Sequence, residues 1–404
     1  MIKSIHGGVT AAKGFLANGL HCGIRKNPGK KDVALIFSQV PAQAAAVYTT
    51  NLVKGAPLTV TKKHLENGVA QAVICNSGNA NTCNANGIEV AEEMSALAAK
   101  ALNIAADDMV VASTGVIGQP LDITPIAAGM DELAKGLSAD GHSAAEAIMT
   151  TDTVAKEVAV EFTVGGKTCT LGGIAKGSGM IHPNMATMLV FLTTDCAIAA
   201  PMLQKALSGD VKNTFNMTSV DGDTSTNDMV VILANGEAKN PEIIAEGADF
   251  EVFMKALNTV TVDLCRRIAA DGEGATKLLE CKVTNAPSES VAKTAAKSII
   301  CSSLVKAAMF GADANWGRIL CAIGYCGADV DVTKVEVHFA SVAGDILVCE
   351  NGAGVAFSEE KAKEILLEKE IEILVDLHNG AAAATAWGCD LTYDYVKING
   401  DYRT

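Results

Sequence analysis

The sequence is poor in the features that mark nucleic-acid-binding, membrane and secreted proteins. Aromatic residues make up only 4% of the 404 residues, which leaves little with which to stack bases. Lys and Arg total 32 against 46 Asp and Glu, a formal charge of −14, so the chain lacks the basic surface that neutralises phosphates. Clean apolar runs such as Met188 to Leu192 and Ala44 to Tyr48 fall far short of the ~20 residues of a membrane span. The opening MIKSIHGGVT holds no apolar stretch of signal-peptide length, so a cytoplasmic location is expected. Proline is scarce, at 9 residues, which argues against Pro-rich linkers. The 12 cysteines contain no Cys-x-x-Cys, so they read as reduced, buried small hydrophobes rather than a disulfide framework or a zinc site. The 7 histidines form no close pair with metal-ligand spacing, and no metal or cofactor is expected.

What is present is a large apolar fraction, 49%, with 19% charged residues and 37 glycines. Such a chain buries a sizeable core and makes many tight turns. Strand-like and helix-like segments alternate, giving an α/β (α+β) class. Asp32 to Phe37 and Gln71 to Cys75 read as strands. Residues 88–102 carry apolar positions at helical spacing. Phe250, Phe253, Leu257, Val260, Leu264 and Ile268 form the cleanest helical stripe. Ser358 before Glu359 and Glu360 marks a helix start, and Ile371 to Leu377 a strand. The softest joint is Asn285-Ala286-Pro287-Ser288. The expected division is therefore a body of residues 1–284 and a smaller C-terminal α/β domain of 285–404.

Several chemical signatures fail on inspection. Gly177-Ser178-Gly179 opens like a dinucleotide loop, but its third glycine position is His182. No Gly-x4-Gly-Lys-Ser/Thr occurs. Asp221-Gly222-Asp223-Thr224-Ser225 imitates a calcium loop, yet the sixth position is Thr226 and the twelfth Ile232. Asp313-Asn315-Arg318 reads as interior packing or a helix start, because Trp316 and Ile319-Leu320 follow at once.

The segment that resists a plain reading runs from Lys176 to Leu189, KGSGMIHPNMATML. A Gly-Ser-Gly loop with a cation leads through Pro183-Asn184 into a strand-like run beginning at Thr187. The Thr187 hydroxyl could attack the Ala186 carbonyl, and hydrolysis of the resulting ester would free an N-terminal threonine. Its α-amine, with a pKa near ~8, could serve as base for its own hydroxyl. A threonine that merely satisfies β-propensity at a strand start explains the same residues. On the residues alone both readings stand.

The fourteen-residue string closely resembles the self-processing motif of the ornithine acetyltransferase family. The likeness extends to the string from Gly8 to Phe15, Asn76-Ser77-Gly78-Asn79-Ala80-Asn81, Ser113-Thr114-Gly115-Val116-Ile117-Gly118 and Thr150-Thr151-Asp152-Thr153. It also takes in the stretch from Ser219 to Asp228 and the one from Gly311 to Arg318. It therefore runs from near residue 8 to the end of the chain.

That resemblance implies an αββα-type layered sandwich like those of N-terminal-nucleophile and self-cleaving aminopeptidase folds. It implies cleavage between Ala186 and Thr187, into an α chain of 1–186 and a β chain of 187–404, with Thr187 as nucleophile. Thr114 (hydroxyl) and Gly115 (backbone N–H) are implied to form the oxyanion hole. Thr150, Lys176, Thr187, Glu273, Asn399 and Thr404 would contact substrate, with Thr151 a neighbour able to take the role of Thr150. The implied reaction moves an acetyl group from N2-acetyl-L-ornithine to L-glutamate, in a cytoplasmic α2β2 heterotetramer without cofactor. Acetyl-CoA is left open as a second donor. A self-cleaving aminopeptidase or amidase is the alternative within the same fold. Ordinary roles exist for several of these residues: a Gly-containing turn at Gly115, a solvated loop lysine at Lys176 and a solvated turn carboxylate at Glu273.

Overall fold

The structure, a computed structural model, describes residues 2–182 and 188–400. Its strands, in chain order, are β1 (Lys3–Ile5), β2 (Phe15–Leu20), β3 (Val33–Tyr48), β4 (Val69–Asn79), β5 (Met109–Val116), β6 (Lys156–Val164), β7 (Lys167–Lys176) and β8 (Leu189–Thr194). There follow β9 (Thr218–Ser219), β10 (Met229–Ala234), β11 (Leu278–Ala286), β12 (Glu336–Ser341), β13 (Gly344–Glu350), β14 (Ala353–Gly354), β15 (Glu370–Asp376) and β16 (Ala382–Cys389). The fold is mixed α/β, with helices layered on two sheets.

The first sheet has the order β1-β6-β7-β8-β10-β3-β4-β5, with β2 also pairing β3. Its centre is the parallel pair β8 and β10, in register from Leu189↔Met229 to Thr194↔Ala234. Every residue of LVFLTT and MVVILA is buried, as expected of strands covered on both faces. The long β3 gives its first half to β2 and β4 and its second half, from Gln43 to Tyr48, to β10.

The second sheet runs β14-β13-β12-β15-β11-β16-β9. The boundary expected near residue 285 falls at the C-terminal end of β11, and the short β9 joins this sheet from earlier in the chain. The expected stripe forms the helix Ala248–Ala270, whose Phe250, Phe253, Leu257, Val260, Leu264 and Ile268 are all buried. It packs on β6 and β7 of one sheet and on β11 and β16 of the other. Asp249 and Glu251 in its first turn and Arg267 in its last suit the helix dipole. The expected helix over 88–102 spans Gly87–Leu102. Ser358 caps its helix by accepting the Lys361 N–H, and Ser288 caps Glu289–Cys301 through the Val291 N–H. Trp316 opens the helix that the Asp313–Arg318 cluster suggested.

All twelve cysteines are free. Seven are buried as expected, but Cys83 and Cys321 are exposed. An apolar run on a half-exposed helix turns some of its members outward, so position within the run does not decide burial.

Candidate functional site

The end of β5, the end of β7, the turn after the helix Ala248–Ala270 and the last helix, Tyr393–Gly400, meet around one cavity of about 310 Å³. Thr114, Gly115, Thr150, Lys176, Glu273 and Asn399 all line it, and Thr151 lines it beside Thr150. Residues expected from five separate stretches of chain thus converge. Ala186, Thr187 and Thr404, the other expected site residues, lie outside the described residues.

Lys176 is the last residue of β7 and pairs across the sheet with Leu189. Its ammonium donates to the Thr114 hydroxyl oxygen at 3.3 Å. A hydroxyl that accepts from an ammonium keeps its own proton to donate, which orients Thr114 as a donor. Gly115 has φ +136°, and a Cβ there would lie 2.3 Å from the carbonyl carbon of Gly78. Only glycine lets β5 approach β4 this closely while turning its backbone into the cavity.

Glu273 is almost fully buried. Its N–H donates to the Ser178 carbonyl at 2.9 Å, and its carboxylate accepts the Asn399 amide at 2.7 Å. It lies against Gly179, where any Cβ would sit 2.3 Å from the carboxyl carbon. Neither Lys176 nor Glu273 is the solvated surface charge that its residue type most often is.

Beneath these groups lies a buried ionic frame. Lys156, wholly buried, is held at 2.7 Å by Asp152 and at 2.6 Å by Asp271. The Asp152 carboxylate also accepts the Gly177 N–H at 2.7 Å and the Thr150 N–H at 3.0 Å. Burial would raise the Asp152 pKa, but Lys156, Lys176 and the Gly177 N–H outweigh it and hold the carboxyl at about 2. Asp271 accepts from the Thr153 N–H and hydroxyl, while its carbonyl takes the Ser178 hydroxyl at 2.7 Å. One buried ion cluster therefore positions Thr150 and the Gly-Ser-Gly loop together.

The next three residues of that loop are pinned from the other side. Asp221 accepts the Met180 N–H at 2.6 Å and the Ile181 N–H at 2.9 Å. Val220 donates to the Ile181 carbonyl at 2.8 Å and Thr224 to the His182 carbonyl at 2.8 Å. Tyr395, on the same last helix as Asn399, reaches Asp221 at 3.3 Å. Burial and Lys297 push the His182 imidazole down to about 4, so it is neutral beside Ser219 and Cys301.

Sequence reading alone assigns no role to Asp152, Lys156 or Asp221, and places Asn227 in the surroundings of the site only through the family-like stretch from Ser219 to Asp228. Asn227 is a hub, with an amide that donates to the carbonyls of Ala80 and Ser113 and an amide oxygen that accepts from Thr82 and Thr226. It joins the Asn76–Asn81 loop to β5 and the cavity wall. Its neighbour Asp228 is buried, with one carboxyl oxygen unpartnered among the described residues. Burial pushes that carboxyl well above the usual range, against Ser225 and Lys176. The Asp-Gly-Asp run that looked like half a calcium loop is what supplies Asp221.

A profile of the ArgJ family matches residues 16–404. The chain belongs to the ArgJ family. It is 52% identical to the arginine biosynthesis bifunctional protein ArgJ of Caldanaerobacter subterraneus subsp. tengcongensis over 405 aligned residues, covering 100% of both chains. It is 54% identical to the protein of the same name from Symbiobacterium thermophilum, over 98% of this chain and 99% of that one. A crystal structure of the Bacillus halodurans ArgJ matches with 47% identity and a TM-score of 0.50, covering 53% of this chain and 98% of the solved one. Family membership establishes the resemblance drawn from the sequence and makes this an acetyltransferase of arginine biosynthesis. It does not favour the amide-hydrolase alternative.

Proposed function

We propose that this ArgJ-family enzyme cuts its own chain between Ala186 and Thr187 and then carries acetyl groups on Thr187, from N2-acetyl-L-ornithine to L-glutamate. The observation that carries the proposal is the convergence of Thr114, Gly115, Lys176, Glu273 and Asn399 on one cavity, while Met188, the residue after Thr187, is held just before β8 by the Met229 N–H at 2.9 Å.

In the first half-reaction the Thr187 hydroxyl attacks the acetyl carbonyl and its α-amine takes the proton. The oxyanion is met by the Thr114 hydroxyl and the Gly115 N–H, with Lys176 holding the former in a donor orientation. The proton passes to the departing α-nitrogen of ornithine, whose side-chain ammonium Glu273 attracts. In the second half-reaction glutamate attacks the acetyl-threonine by the same groups in reverse. Thr150, held by Asp152, lies within the wall that both amino acids touch. Thr404 completes the substrate contacts, and no cofactor enters this cycle.

The cleavage reading has separate support. A solved ArgJ chain that is itself 98% covered spans only 53% of this one, as expected of a family whose members are cut near the middle. The products here would be 186 and 218 residues long, assembled as α2β2. Mass spectrometry of the purified protein beside a Thr187→Ala variant tests the proposal. The wild type should give two fragments and the variant one chain of 41.6 kDa with no transfer activity. An intact wild-type chain that still moves acetyl groups would overturn the mechanism. Activity that needs no acceptor amino acid would return the amidase reading.

A further inference from the structure

The reaction cavity of about 310 Å³ is polar over much of its wall, to which Thr114, Thr150, Lys176, Asn227, Glu273 and Asn399 contribute. Two large hydrophobic side chains break that pattern. Ile117, just past the end of β5, is 39% exposed and Met180 is 43% exposed, and both line the cavity. An apolar surface left open inside a polar cavity fits a ligand with an apolar stretch between polar ends.

Met180 is also held in a backbone shape that its residue type disfavours. Its φ of +55° lies in the left-handed region, where glycine is free of strain and a residue with a Cβ is not. The conformation is imposed from both sides. Asp221 accepts the Met180 N–H at 2.6 Å and the following N–H, of Ile181, at 2.9 Å. On the other side Gly179 packs so closely on Glu273 that a Cβ there would lie 2.3 Å from the carboxyl carbon. A long thioether side chain is thus carried at a strained position, directly after the residue that packs on Glu273. Strain maintained by its surroundings at the wall of a ligand cavity points to a role for the side chain that causes it.

The chemistry of the donor defines that role. N2-acetyl-L-ornithine carries its acetyl carbonyl near one end and its ammonium at the other, with three methylene groups between the α-carbon and the ammonium. Thr114 and Gly115 take the acetyl end and Glu273 the ammonium. Both anchors are rigid. Gly115 is wedged against Gly78, and Glu273 is almost fully buried, held through its N–H by the Ser178 carbonyl and through its carboxylate by the Asn399 amide. The methylene groups must therefore lie along the wall between fixed points. One methylene more, as in lysine, has to buckle out of line and into whatever covers it.

We propose that Met180, with Ile117, sets the length of amino-acid side chain that the enzyme accepts in its donor: the two cover the three methylene groups of ornithine and leave no room for a fourth. The inference rests on the reading of Glu273 as the partner of the ornithine ammonium. Taking one methylene out of water is worth about fourfold in binding, so partial cover of three by one thioether side chain amounts to about tenfold. Turning away a chain one methylene too long is worth about tenfold to two-hundredfold. Methionine suits the place because its unbranched, polarizable chain follows the contour of a flexible aliphatic ligand.

The test uses the processed enzyme and compares kcat/KM for N2-acetyl-L-ornithine and N2-acetyl-L-lysine, with glutamate as acceptor. The wild type should favour the ornithine donor by about tenfold or more. Met180→Gly removes the side chain and relaxes the backbone, so Tm should hold or rise. In that variant the ornithine donor should lose about tenfold, while the lysine donor loses nothing or gains. Met180→Leu restores an apolar side chain of similar volume and should restore the wild-type preference. Ile117→Ala, which leaves the Gly-Ser-Gly loop untouched, should shift the preference in the same direction and replaces Met180→Gly should that variant stay uncut. The proposal is overturned if the wild type uses the two donors alike, if the variants lower both donors equally or leave the preference unchanged, or if Met180→Leu behaves as Met180→Gly. Failure of the Glu273 reading is distinguishable, since it appears as equal losses in the two half-reactions of Glu273→Gln, where Met180 is intact.

Discussion

Asp152→Asn removes one charge from the buried frame and leaves its shape nearly unchanged. In the wild type, Asp152 is fully buried, 2.7 Å from the Lys156 ammonium, and its two oxygens serve Gly177 and Thr150 as well. Its carboxyl titrates at about 2 in place of the usual 3.8, a difference worth about 2 kcal/mol of stability at neutral pH. Breaking a buried pair costs about 3–5 kcal/mol when the remaining charge has no other partner. Lys156 keeps Asp271 at 2.6 Å, so the expected loss is about 2–3 kcal/mol. The sign with pH follows from the depressed value. The Asp152 contribution is complete above about pH 4 and is lost as the pH falls through about 2. Urea unfolding of D152N in a Thr187→Ala background, where one chain unfolds, should show the full deficit at pH 7 and a smaller one at pH 3. Catalysis should suffer too, because the amide retains one acceptor oxygen for two N–H groups. In the processed enzyme KM should rise for both substrates, since Thr150 is the group displaced. A variant as stable as the wild type within about 0.5 kcal/mol at pH 7 would refute the assignment of this cluster as the support of the site.

Gly115→Ala should cut kcat by about a hundredfold or more, as loss of one oxyanion donor does, and should also destabilise the chain, because its Cβ meets Gly78 at 2.3 Å. Pre-steady-state acetylation separates the two effects. Glu273→Gln, measured in each half-reaction separately, should slow transfer from acetylornithine about tenfold while sparing acetyl transfer to glutamate. Equal losses would remove its assignment to the ornithine ammonium. Asp221→Asn leaves the Met180 and Ile181 N–H groups one acceptor between them, so conversion of the fresh chain to fragments should slow about tenfold. A time course of intact mass at the wild-type rate would show that the pin has no part in processing.

How much of this the residues declare depends on whether the signal is local. The helix Ala248–Ala270 is legible because six buried side chains repeat at its own period. The β8 and β10 strands are legible as short continuous apolar runs. Thr114, Gly115, Lys176 and Glu273 were found through family strings, and physics alone would have left each as a turn or a solvated charge. The pairing of Lys156 with Asp271 joins residues 115 positions apart, and nothing local to either announces it. Asp221 sits in a string that imitates a calcium loop and fails as one, and nothing local to it announces that it accepts the backbone N–H groups of Met180 and Ile181. Cys321 was misplaced for the same kind of reason: an apolar neighbourhood in sequence says nothing about which side of a helix faces water.

The order of strands in the first sheet bears on what a cut at Ala186 can accomplish. Residues after the cut contribute β8 and β10, and residues before it contribute β7 on one flank and β3 on the other. The later fragment's two strands are thus slotted between strands of the earlier one, and the first sheet belongs whole to neither, whereas every strand of the second sheet comes from the later fragment. Separating them means unzipping two six-residue ladders together and wetting the most thoroughly buried strands in the molecule. Scission at Ala186 would therefore free a chain end without freeing a fragment. Dilution should not part such halves, and the earlier half produced alone would lack the two strands that bridge its own β7 and β3.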